Sequence, residues 1–217
     1  MDRDAAGLAA LAEGAGALAG AVEPEVLDLT DLDAAEAVAA GADILVNNAG
    51  LQLVRPIEDF PGRVPHRAHG DAGGPVPADQ GALPHMYAQG WGRIVNISSV
   101  HGLRASAFKS AYVAAKHGLE GLSKTAALEG APHGVTSVCV NPGYVRTPLV
   151  EKQLADQAAA HDLPEERVLT DVLLKDSAIK RLIEPDEVAE AVLYLCSPQA
   201  SFITGTSVAL DGGWTAH

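Results

Sequence analysis

Tyr112 and Lys116 stand four residues apart in SAYVAAKHGLEGL. A helix presents residues at that spacing from one face. An ammonium beside a phenol lowers the phenol's pKa and brings its proton within reach of acid/base chemistry near neutral pH. Taken alone, such a pair is an ordinary surface feature. Ser99 narrows the reading, because it closes the apolar run GRIVNISS, 13 residues before Tyr112. The carboxyl end of a strand is where open α/β sheets bind ligands. There its hydroxyl can hold a carbonyl oxygen while Tyr112 protonates it. Asn48 in DILVNNAG and Asn141-Pro142-Gly143 after TSVCV follow apolar runs in the same way. Each is turn chemistry by itself; in this order the four features mark one sheet edge.

The elements that must position these residues alternate along the chain. A helix is predicted over about 4–19, then a short strand ending at Asp28, and a helix capped by Thr30 running to about residue 40. Asp43–Asn47 reads as a buried strand, 82–89 as a short helix and Arg93–Ile97 as a strand. A long helix over 108–129, the strand GVTSVCVNPG, two helices within 146–177, a helix over 185–196 and the strand TSVAL complete the order. Runs such as ILV and SVCV are apolar without alternation, which suits a parallel sheet covered on both faces. The fold class is therefore α/β, a doubly wound, Rossmann-like parallel sheet in one domain spanning 1–217. Gly14, Gly16 and Gly20 end a helix rather than follow a strand, so they are read as helix-terminating. The opening strand and glycine-rich turn that such a sheet normally carries are missing from the pattern.

The chain has 217 residues, is 47% hydrophobic and carries a formal charge of −13. That length allows a sizeable core. The charge argues against nucleic acid as a partner. In so acidic a protein an anionic substrate must be drawn in by local cations. Cys139 and Cys196 sit in apolar runs and read as buried thiols rather than a disulfide. No apolar run approaches a membrane span, and charges occupy the N-terminus where a signal peptide needs its apolar core. A cytoplasmic protein with no metal site and a small-molecule substrate is the expectation.

The order of these motifs resembles the short-chain dehydrogenase/reductase family over nearly the whole chain except about 61–81. The resemblance implies that Ser99, Tyr112 and Lys116 are the catalytic serine, tyrosine and lysine, with Tyr112 and Lys116 also touching the cofactor. It places Asn48 in a cofactor-contacting turn, Asp28 near the adenine, and Val145 and Thr147 of NPGYVRT beside the nicotinamide. Asp2 matches the acidic residue that holds the adenosine ribose, which favours NAD over NADP; a helix cap is its equal alternative. The finer pattern resembles the branch of the family that interconverts D-3-hydroxybutyrate and acetoacetate. There Gln52, His101, Lys109 and Gln153 match the residues that hold the substrate carboxylate, and Trp214 and Tyr144 the aromatics around it. Lys109 with amide and imidazole donors suits a single carboxylate. The resemblance further implies a homotetramer.

Two departures qualify this reading. Without the glycine-rich turn the pyrophosphate cradle is lost, so poor stability and weak NAD binding are expected. In 61–81 the prolines Pro61, Pro65, Pro75 and Pro77 forbid a regular helix, each costing about 3 kcal/mol inside one. That stretch replaces a helix at constant length, as two compensating frameshifts in GC-rich DNA would do; a variant loop over the active site is the alternative. A non-catalytic remnant serving as a binding or assembly module stays open beside the enzyme, as does a dehydrogenase for another small hydroxy acid or alcohol.

Overall fold

Parallel strands need crossover connections, and the apolar runs of this chain meet that need with a helix between each pair. The structure, a computed structural model, describes residues 1–17, 20–50, 56–59, 75–161 and 164–216. Four strands, β1 (Ile44–Asn47), β2 (Gly92–Ile97), β3 (Val135–Pro142) and β4 (Ser207–Leu210), form one parallel sheet in the order β1-β2-β3-β4. The register sets Asn47 beside Asn96, Ile97 beside Val140, and Asn141 beside Ala209. The carboxyl ends of the strands are thereby aligned at one edge.

Helix α1 (Ala5–Gly14) precedes α2 (Leu32–Ala39), and α3 (Pro75–Gln89) and α4 (Ser110–Gly130) follow. Ala39, Leu45, Ala78, Ala82, Met86, Ile94, Ala126 and Val135 bury one face of the sheet against α3 and α4. Beyond β3 come α5 (Pro148–His161), α6 (Glu165–Val168) and α7 (Pro185–Cys196). Val95, Val138 and Val140 point the other way and pack on Leu195 and Ala200. Every residue of β3 is buried, the polar Thr136, Ser137 and Asn141 included, as in a parallel strand covered on both faces. At the sheet edge β1 differs, with Ile44 and Val46 exposed and Leu45 buried. Both cysteines are free thiols, and burial raises Cys139 to about 12.

The structure corrects three expectations. The irregular stretch ends earlier than predicted, because α3 begins at Pro75 instead of residue 82. Pro75 and Pro77 lie in its first turn, where backbone N–H groups have no intrahelical partner to lose. Pro84 does stand inside the helix. Close packing on α2 offsets its cost: a Cβ at Gly81 would lie 2.1 Å from the Glu36 carbonyl oxygen. Residues 60–74 lie outside the described residues. The strand expected before Asp28 is only an isolated bridge between Asp2 and Val26. Asp31 rather than Thr30 caps α2, its side chain accepting from Ala34 N; Thr30 donates from N–H and hydroxyl to Asp28.

The α3 face of the sheet also buries a carboxylate. Asp79 is 3% exposed and accepts from Asn47 Nδ2, which donates to Asn96 as well. Its second oxygen has no hydrogen-bond partner. Burial raises its pKa from 3.8 to about 6, against the opposing hydrogen bond from Asn47. A native state that binds this proton more tightly than the unfolded chain is stabilised below pH 3.8 and loses that stability as pH rises through 6. The difference in unfolding free energy between the wild type and Asp79→Asn should therefore decline by roughly 2 kcal/mol from pH 4 to pH 7 in urea titrations. A pH-independent difference would contradict the assignment.

Candidate active site

The end of β2 delivers Ser99 with an extended backbone, and its hydroxyl accepts the His101 N–H (3.2 Å). Its carbonyl accepts from Asn141 Nδ2 (2.8 Å), which binds it to the end of β3. Helix α4 supplies Tyr112 and Lys116. The Lys116 ammonium is buried, lies 5.6 Å from the centre of the Tyr112 ring and donates to the Ile97 carbonyl (2.9 Å). Together with Ser99, these place a hydroxyl, a phenol and an ammonium around one strand end.

His101, on the short turn after Ser99, is 7% exposed. Lys109 Nζ lies 3.0 Å from its Nε2. An ammonium only donates, so Nε2 accepts and the imidazole proton sits on Nδ1. That Nδ1 is buried without a hydrogen-bond partner. Burial, then the Lys109 charge and then His117, push His101 down to about 4. Lys109 is lowered too, by burial. Phe108 adopts φ +66°, a left-handed conformation rare for an aromatic residue, and turns the chain so that Lys109 starts α4 beside His101. Tyr112 and Trp214 stand edge-on to the imidazole, with centroids 6.0 and 5.7 Å away.

A cavity of ≈310 Å³ opens here, lined by Ser99, His101, Lys109, Tyr112, Tyr144, Val145, Thr147, Gln153 and Trp214. The structure thus brings together two of the three predicted catalytic residues at the cavity wall, with Lys116 buried behind them. Of the predicted substrate residues it gathers His101, Lys109, Tyr144, Gln153 and Trp214; Gln52 lies outside the described residues. Val145 is held by a bridge to Ile183, and Thr147 starts α5 by accepting the Val150 N–H on its hydroxyl. The sequence reading missed Asp176, which also lines the cavity, and the buried Glu120 of α4. Glu120 accepts from Asn141 and Ser207, both at 2.6 Å. Burial raises its carboxyl, but hydrogen bonds led by Ser207 outweigh this and hold it below the usual range. Its position four residues after Lys116 was the available signal.

Of the remaining predicted cofactor residues, Asp28 accepts from Thr30, while Asp2 and Asn48 line a second groove. Asp2, Asn47, Asn48 and Val46 share a groove of ≈140 Å³. Asp2 accepts from Asp4 N, and Asp4 rather than Asp2 caps α1. The first amides of α1 are engaged by this carboxylate, so the helix offers no site for an anion. Of the other predicted cofactor residues, Tyr112, Val145 and Thr147 line the cavity beside Ser99, with Lys116 buried. Among them, no helix is long and apolar enough to cross a membrane.

A family model described as enoyl-(acyl carrier protein) reductase matches residues 2–215. The D-beta-hydroxybutyrate dehydrogenase of Rhizobium meliloti is 54% identical over 178 residues, 82% of this chain and 69% of that protein. The fold superimposes on a putative 2-deoxy-D-gluconate 3-dehydrogenase from Agrobacterium tumefaciens with bound NADP. The TM-score is 0.80 at 28% identity, over 91% of this chain and 78% of that one. A 4-hydroxyisoleucine dehydrogenase complexed with NADH gives a TM-score of 0.73 at 26% identity, over 89% and 81% of the two chains.

The neutral His101 has a direct test. Its imidazole Cε1 proton resonance should hold the neutral position down to pH 5 and titrate near 4. In Lys109→Met, with the neighbouring charge gone and burial kept, the midpoint should rise. A titration near 6.5 in the wild type would refute the geometry.

Proposed function

The chain belongs to the short-chain dehydrogenase/reductase family, and on that premise we propose that it interconverts D-3-hydroxybutyrate and acetoacetate with NAD. The observation that carries the substrate is the joining of Lys109, His101 and Gln153 in one cavity with Ser99 and Tyr112. In a chain of net charge −13, a half-buried ammonium facing a cavity is a local cation for a carboxylate. The cavity is small, and Trp214 and Tyr144 close it, which suits a short acid. The dehydrogenase relative from Rhizobium meliloti supports the same substrate class.

When bound, NAD supplies the hydride acceptor, and the protein supplies the rest. Lys109 Nζ, held in place by its hydrogen bond to His101 Nε2, binds the carboxylate and sets the hydroxyl-bearing carbon at Ser99. The Ser99 hydroxyl holds the substrate oxygen while Tyr112 takes its proton. Lys116 steadies the phenolate from beneath the ring, 5.6 Å away. Asp2 at the groove disfavours a 2′-phosphate, which is why NAD is preferred to NADP.

NADH formation from D-3-hydroxybutyrate tests the proposal. Tyr112→Phe should lower kcat by about 10²-fold or more. Lys109→Ala should raise KM for the acid by about tenfold or more, through loss of a charged hydrogen bond. Turnover that survives Tyr112→Phe would contradict the chemistry. An unchanged KM in Lys109→Ala would contradict the substrate and favour a neutral alcohol.

A further inference from the structure

We propose that Glu120 is a positioning residue that holds the end of β2, and Ser99 with it, in register with Tyr112 and Lys116. Helix α4 sends two buried charged side chains to the strand ends, one turn apart. Lys116 reaches the Ile97 carbonyl of β2. Glu120 Oε1 accepts from Asn141 Nδ2 of β3, and Oε2 accepts from the Ser207 hydroxyl of β4. The same Asn141 Nδ2 donates to the Ser99 carbonyl. Two acceptors facing one amide atom require that atom to be nitrogen, so the carboxylate fixes the orientation of Asn141 as well as its place. Asn141 near the carboxyl end of β3 and Ser207 at the start of β4 thus meet on one carboxylate, and β2 is tied to it through Asn141.

The loop after Ser99 passes directly over this point. A Cβ at Gly102 would stand 2.7 Å from Glu120 Oε1 and 2.5 Å from Ser98 Oγ. Glu120 does not line the cavity, so it acts through Asn141 and not on substrate. Only the kinetic arm of its role rests on the dehydrogenase reading. A carboxylate binds N–H and O–H donors more strongly than an amide does. Glu120→Gln keeps size but removes the charge and replaces one of the two acceptor oxygens with an NH2 donor.

Hydrogen exchange and steady-state kinetics on the full chain test the role. In Glu120→Gln, amides in 98–103 and 141–145 should exchange about tenfold faster or more, while those in 32–47 keep their wild-type rates. The kcat should fall on the order of 10- to 100-fold, as misplacement of a reacting group does, with KM for 3-hydroxybutyrate within about twofold. Equal acceleration across the chain would show a general stabilising role and overturn the proposal. So would unchanged exchange at 98–103, or local acceleration with unchanged kcat. If the wild type shows no turnover, the proposed function fails by itself and the exchange pattern still decides the positioning role.

Discussion

Everything at this site depends on charged side chains of α4 being buried against the ends of parallel strands. Buried charges are costly unless each is paired and hydrogen-bonded. Lys116 meets the Ile97 carbonyl, and Glu120 meets Asn141 and Ser207. Because the strands are parallel and in register, their carboxyl ends lie side by side, within reach of one helix. Ser99 is carried there by β2, the Asn141–Thr147 segment by β3, and Tyr112 by the helix itself.

Outward from that anchor, the cavity sets a cation into an acidic molecule, with Asp176 also on its wall. A protein of net charge −13 keeps a half-buried lysine beside a neutral imidazole at the place where a small acid would sit. The lysine and the burial together keep His101 unprotonated, which leaves Nε2 to accept and Nδ1 to donate. The strained Phe108 is part of the same arrangement, since it sets where α4 begins. Strain of this kind persists where the surrounding structure over-determines it.

Much of this was legible in the amino-acid order. The i, i+4 spacing of Tyr112 and Lys116 placed both on one helical face, and the apolar runs ending in Ser99 and Asn141 became β2 and β3. What escaped has physical reasons. Prolines at 75 and 77 read as helix breakers, yet they occupy the one turn where proline is tolerated. The edge strand β1 exposes residues that its apolar run led us to bury. Glu120 and Asp79 went unremarked, because only the tertiary packing shows their oxygens turned inward. Two segments before β1 that suggested a strand and a cap were settled by single side chains, Asp28 and Asp31, which take the local donors.

The central claim is that this cavity moves hydride and proton from a 3-hydroxy acid, with Tyr112 as the base. The most direct measurement uses D-3-hydroxybutyrate deuterated at carbon 3, excess NAD, and mass spectrometry of the nucleotide. Deuterium should appear in NADH with the wild type, and at least about 10²-fold more slowly with Tyr112→Phe. Nucleotide free of deuterium in both proteins would contradict the account.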